Sequence, residues 1–396
     1  MPATPPLGAL RQVLLDLFGT VRQPNLTGLT DTDWNWIDRM SALRRLQPLL
    51  HAQHQDNPAI PERIAANWRT AYRESAMLAL ARTAELKDCV ALLENAGFAP
   101  LALKGAWLAP YAYPDPAQRP MYDLDVLLDP ETVLDGYALL KRSGYEQAYP
   151  EEIPLADMIR LEKHLPTLVG PRGAMIELHH RMADPHGALD HFSPEPDETA
   201  IRARAVRIDG VSYPGAQDML IHLIIHAAYA HRFDCGPRVL ADVDFLPRKE
   251  PIDWVAFWQR GRDEGWRDGA RLVLELSRQN RAGVEVDFSA DSGPPPPQAL
   301  LDGAVQLLFQ EPDTCATAGF AATVIKGGWR GLARRISGTR AAEGEAPVVR
   351  EMDNEGGRLG WALSRLGRVV GDLSRADVRR QSRELARLSR WFDGAA

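Results

Sequence analysis

Two carboxylates stand two residues apart in Asp123-Leu124-Asp125-Val126-Leu127-Leu128. Side chains alternate between the faces of a strand, so Asp123 and Asp125 share one face and Leu124, Val126 and Leu128 the other. Like charges held side by side repel. A divalent cation removes that repulsion, and Mg²⁺ takes carboxylate oxygens while leaving positions open for phosphate oxygens and water. In Met175-Ile176-Glu177-Leu178-His179 the same alternation puts Glu177 and His179 on one face and Ile176 and Leu178 on the other. If this strand lies beside the first, Glu177 becomes a third carboxylate, and three carboxylates can hold two metal ions about 4 Å apart. Upstream, Lys104-Gly105 stands where a short apolar strand turns into a helix. Glycine lets the backbone approach a phosphate, and a helix N-terminus offers it free N–H groups. Lys104 adds a point charge. Arg119 can bond two phosphate oxygens at once.

Other polar residues carry weaker signals. His222 and His226 have the i, i+4 spacing of a zinc helix, but Leu223 stands where such a motif needs glutamate, and the surrounding LIHLIIHAA is apolar. Packing histidines are expected there. On a helix, Asp242 and Asp244 point apart, which predicts capping or salt-bridge roles. Alternation gives His180 a packing role, and His164 reads as a strand-end or surface residue.

These residues need elements to hold them. Asp31 to His51 reads as one helix, capped by Asp31 or Thr32, with apolar spacing through Trp36, Met40, Leu43, Leu46 and Leu50. A long helix is expected from Pro61 to Ala96, stopped by Gly97. Residues 98–182 read strand, helix, strand, helix, strand, strand: FAPLALKG, AWLAPYAY, MYDLDVLLD, ETVLDGYALLKRSGY, HLPTLVG and AMIELHHRM. Helix returns in LIHLIIHAAYAH, RVLADVDFL and the run from Asp253 to Gln279. SGPPPP at 292–297 reads as a linker or boundary. The expected organisation is an N-terminal helical region at 1–97, a core at 98–215, a helical region at 216–291, and a proline linker with a basic helical tail at 292–396. The class is α+β, a small mixed sheet flanked by helical regions. The Arg-rich stretches WRGLARRISGTR and RLGRVVGDLSRADVRRQSRELARLSRW read as solvated helix faces, with docking to an acidic partner, RNA or anionic membrane as the alternative.

Composition narrows the class. The 396 residues are 45% hydrophobic and 25% charged, the balance of a folded soluble protein. A net charge of -7 counts against a nucleic-acid binder that relies on bulk charge. Cys89, Cys235 and Cys315 are far apart and form no CxxC pair, so neither a disulfide framework nor a cysteine zinc site is expected. MPATPPLGALRQ lacks the pattern of a signal peptide, and no apolar run reaches 18 residues, so a cytoplasmic setting is expected.

The order LKGAWLAPYAY, RPMYDLDVLL, GY, IELHHRM resembles the uncharacterised nucleotidyltransferase family of the polymerase-β-like superfamily, over roughly residues 10 to 280. By that resemblance Lys104 and Gly105 match the turn that holds the triphosphate, Asp123, Asp125 and Glu177 the metal carboxylates, and Arg119 the arginine before them. His179 follows on the carboxylate face as a further nucleotide-site residue. The turn departs from the superfamily's usual Gly-Ser. The resemblance implies transfer of a nucleoside monophosphate from an NTP, ATP first, to a small-molecule or peptide acceptor, with two Mg²⁺ ions and release of pyrophosphate. It extends to a setting in peptide natural product biosynthesis. A toxin-like, tRNA-directed nucleotidyltransferase and a catalytically silent nucleotide-binding scaffold are the competing readings.

Overall fold

The computed structural model describes residues 7–149, 154–184, 192–281, 283, 285–291, 293–311, 314–315, 317–319, 321–322, 325 and 375–394. The chain begins in helices: α1 (Leu7–Phe18), α2 (Asp31–Leu43), α3 (Gln47–His54) and α4 (Glu62–Asn95). Thr30 caps α2, one residue before the expected cap: its hydroxyl accepts from Asp33 N while the Asp33 carboxylate accepts from Thr30 N. The single helix expected to His51 is two. Arg45 takes a left-handed φ of 58° between them, and Pro48, which cannot continue a helix from the preceding turn, opens α3. The 34-residue α4 stops before Gly97, whose φ of 89° fits the expected C-terminal glycine. α4 spans about 51 Å and packs against α3 and α6.

The sheet is mixed. Its strands are β1 (Leu101–Ala102), β2 (Asp123–Leu127), β3 (Glu146–Gln147), β4 (Leu168–Val169) and β5 (Met175–His179), in the order β1-β2-β5-β4-β3. β2 and β5 run parallel, and the other pairs are antiparallel. Between them lie α5 (Gly105–Trp107), which passes directly into a π-turn at Leu108–Ala112, α6 (Val133–Arg142) and α7 (Leu155–Leu161). The expected strands and helices of 98–182 are present, with β3 and α7 added. Leu124, Val126, Leu128, Ile176 and Leu178 pack with Leu86, Val90 and Leu93 of α4 and with Val133, Tyr137 and Leu140 of α6. The alternation that buries this face leaves the other for polar residues.

After β5 come α8 (Glu198–Ala203) and a hairpin of β6 (Val206–Ile208) and β7 (Val211–Tyr213). Asp209-Gly210 turns the hairpin with φ positive at both residues, a short turn the sequence reading missed. Then follow α9 (Ala216–Ile225) with a π-turn at His226–Ala230, α10 (Arg238–Lys249), α11 (Trp254–Asp263) and α12 (Arg267–Asn280). The run from Asp253 to Gln279 is therefore two helices, broken where Gly265 has a φ of 80°. Past the prolines, α13 (Gln298–Leu308) packs on α12 and on α14 (Ala376–Phe392). α14 buries Val378, Leu385, Leu388 and Phe392 and exposes Arg379, Arg383 and Arg387. The first Arg-rich stretch, 329–340, lies outside the described residues. No helix among the described residues is long and apolar enough to cross a membrane.

Candidate active site

Parallel pairing of β2 with β5 sets Asp125 opposite Glu177 and Asp123 opposite Met175. The ligand atoms of Asp125, Glu177 and His179 all lie within 4.8 Å of one another. His179 Nε2 stands 2.9 Å from Asp125 Oδ1 and 3.4 Å from Glu177 Oε2. His164 comes next: it bridges to His179 across the strands, its ring centroid is 5.1 Å from that of His179, and its Nε2 is 3.9 Å from Glu177 Oε2. The expected strand-end residue is thus part of the site's edge.

Lys104 reaches the cluster from the turn after β1. The Leu103 N–H donates to Asp125 O at 2.9 Å, which fixes the strand end beside the carboxylates. Lys104 then takes a φ of 45° and a ψ of -112°. Such a conformation costs a non-glycine residue about 1–3 kcal/mol. Its result is an ammonium aimed at Asp125 Oδ1, 2.9 Å away, with both side chains mostly buried.

Burial would push the Asp125 carboxyl up, but the Lys104 charge and the His179 hydrogen bond override it and hold the group well below the usual carboxylate range. Glu177 is also held low: burial works against this, and the His179 hydrogen bond prevails. Lys104 and His179 are both held above their ordinary values, again against burial, chiefly by Asp125. Asp123 behaves oppositely. Desolvation in the concave site, with the charges of Asp125 and Glu177, raises its carboxyl. Asp123 is exposed at the mouth and stands outside the tight Asp125–Glu177–His179 group.

Arg119 is elsewhere engaged. Its Nε and Nη2 donate to the two oxygens of Asp242 at 2.7 and 2.9 Å, and the Tyr113 hydroxyl donates to the same carboxylate at 2.7 Å. Gly105 packs directly against this guanidinium. The salt-bridge roles expected of the α10 acids are realised: Asp242 holds Arg119, and Asp244 holds Arg248 and Arg281. His222 is buried and His226 is partly buried on the lining of the cleft, ring centroids 6.3 Å apart, and desolvation holds both well below the usual histidine range. Among the described residues they join no three-group metal cluster. His180 is fully buried, and burial holds it down to about 4.

The carboxylates open into a cleft of about 680 Å³. It is also lined by residues the motif reading left out: Arg44 and Arg45 after α2, Arg238 at the start of α10, and the His231–Asp234 pair, 2.8 Å between Nδ1 and Oδ1. No local spacing marks these residues, because the fold gathers them from positions almost 200 residues apart. A smaller cavity of about 320 Å³, lined by Thr20, Leu49, Phe245, Arg248 and Arg281 among others, contains no carboxylate and lies apart from this chemistry.

A family model described as "Uncharacterised nucleotidyltransferase" matches residues 30–281, well over half of the chain. The matched span includes both strands of the carboxylate cluster, the Lys104 turn and the arginine wall. No curated protein and no solved structure matches the chain.

Proposed function

The chain belongs to the uncharacterised nucleotidyltransferase family, and from that premise we propose that it transfers a nucleoside monophosphate from an NTP to a hydroxyl of a small-molecule or peptide acceptor. ATP is the first nucleotide to test, Mg²⁺ the first metal, and pyrophosphate the leaving product. The membership itself makes the protein a transferase of phosphorus-containing groups.

One observation carries the reading: parallel register sets Asp125 against Glu177, with Asp123 two residues earlier at the cleft mouth. The donor set fits a hard divalent cation, since its carboxylate oxygens are those such ions prefer. Desolvation, and then the charges of Asp125 and Glu177, raise the Asp123 carboxyl, and a bound cation would oppose both effects. Asp125 and Glu177 would hold one ion and Asp123 would share a second. When bound, the ions supply charge neutralisation for the transferred phosphoryl group and the leaving pyrophosphate. The chain's own residues do the positioning. Lys104 keeps Asp125 ionised and fixed in direction. His179 fixes Asp125 and Glu177 relative to each other. The apolar face of β2 and β5, packed on α4 and α6, holds both strands still.

The competing readings fare worse. The cleft volume of about 680 Å³ suits a small ligand, whereas a tRNA backbone needs an extended basic track. A silent scaffold does not need Lys104 in a strained conformation to keep a carboxylate charged. The test is incubation with each labelled NTP, Mg²⁺ and candidate acceptors, followed by measurement of pyrophosphate. Release that is the same in the native chain, Asp123→Asn and Asp125→Asn would sink the reading.

A further inference from the structure

The cations that the resemblance assigns to phosphate are already matched within the fold. Lys104 is paired with Asp125, and Arg119 is held at both ends of its fork by Asp242. The same cleft carries guanidinium groups that no carboxylate pairs with among the described residues. Arg44 is 9% exposed; its Nη1 donates to the Asp234 carbonyl at 2.6 Å, and its Nε and Nη2 have no hydrogen-bond partner among the described residues. Buried donors left unmatched are unfavourable, and an anion with several oxygens is a fitting partner for them. Arg45, next in the chain, is exposed and lies over the Tyr122 ring, 3.8 Å from its centroid. Arg238 spends one donor on the Pro120 carbonyl at 3.1 Å. It lines the same cleft as Asp123.

The cleft therefore brings the acids Asp123 and Glu177 together with three guanidinium groups, of Arg44, Arg45 and Arg238, that form no ion pair among the described residues. We propose that the Arg44–Arg45–Arg238 wall binds the polyphosphate tail of the nucleotide, with Arg238 beside Asp123 where the tail meets the carboxylates. The proposal rests on the nucleotidyl-transfer reading for the identity of the ligand. The anion site itself rests on the unmatched arginines alone. A polyphosphate suits the wall better than a single carboxylate, because three separate guanidinium groups present more donors than two oxygens can accept.

The test is calorimetric titration of the full chain with inorganic tripolyphosphate without Mg²⁺, and with ATP in its presence. The native protein is compared with Arg44→Met, Arg45→Met and Arg238→Met. Arg45 is exposed, so its variant stays informative if Arg44→Met fails to fold. The expected result is that tripolyphosphate and ATP both bind roughly tenfold or more weakly in the variants. Tripolyphosphate binding unchanged in all of them overturns the proposal. Weakened tripolyphosphate with unaltered ATP affinity also overturns it, and gives the wall to an anionic group on the acceptor. If the native chain binds tripolyphosphate through these arginines yet neither binds nor cleaves ATP, the anion wall stands and the nucleotidyl-transfer reading falls.

Discussion

Gly105 and Arg119 fill each other's space: a Cβ on Gly105 would lie 2.5 Å from Arg119 Nη1. The guanidinium cannot swing away, because Asp242 holds its Nε and Nη2. The sequence motif suggested a glycine that lets the backbone approach a phosphate. In the fold, the Arg119 side chain packs against this glycine, and both line the cleft. Gly105→Ala is therefore expected to destabilise by about 1–3 kcal/mol, the usual penalty for an overpacked site. Urea denaturation with an unchanged midpoint would show that the pair has room to spare.

Asp242→Asn should do more harm. It leaves Arg119 buried without a counter-charge, and breaking such a pair from one side costs about 3–5 kcal/mol. Replacing both partners, as in Arg119→Met with Asp242→Leu, should recover much of the loss. Chemical denaturation of the three variants decides this, and additive losses in the double variant would contradict the account.

Glu177→Gln is the cleanest probe of the carboxylate cluster, because Asp125→Asn also releases Lys104 from its partner. Pyrophosphate release should fall by roughly 10²–10³-fold, the size seen when one electrostatic contact to a reacting group is removed. Thermal unfolding should barely change. Full activity in Glu177→Gln would remove Glu177 from the site.

Alternation along Asp123–Leu127 and Met175–His179 made the shared face legible, because two-residue periodicity is a property of the strand alone. Strand neighbourhood is not local: nothing in either segment says that Asp125 stands against Glu177, or that His164 bridges to His179. Lys104 was visible as a cation near a turn. Its contact with Asp125 depends on a backbone conformation that lysine rarely adopts. The pairing of Arg119 with Asp242 was not legible, because Asp242 lies on a helix far along the chain. The arginine wall stayed hidden for the same reason, and because the α2 helix was read straight through the bend at Arg45.

Buried histidines should make stability depend on pH. Burial lowers His222 and His226 well below their ordinary value, so below about pH 6.5 the unfolded chain binds protons that the folded chain refuses. Their contribution is complete above that pH and is lost as the pH falls. His222→Leu should flatten the decline in unfolding free energy between neutral and mildly acidic solution. An equally steep decline in the variant would assign it to other groups.

Cys89 is fully buried, and burial raises its thiol to about 12. The thiolate is the reactive form, so Cys89 should alkylate slowly in the native protein and quickly in denaturant. Mass spectrometry after timed iodoacetamide treatment measures this. Rapid native labelling of Cys89 would contradict its packing.

The distance along the chain between Arg119 and Asp242 also bears on how the protein is made. The partners are 123 residues apart. At typical rates of synthesis, roughly 6 to 25 seconds separate their appearance on the ribosome. During that interval the nascent chain carries a guanidinium whose counter-ion does not yet exist, beside the turn that must later aim Lys104. The ion pair that packs against this turn therefore forms only after translation passes residue 242, and a product stalled between the two residues would hold the acidic strand without it.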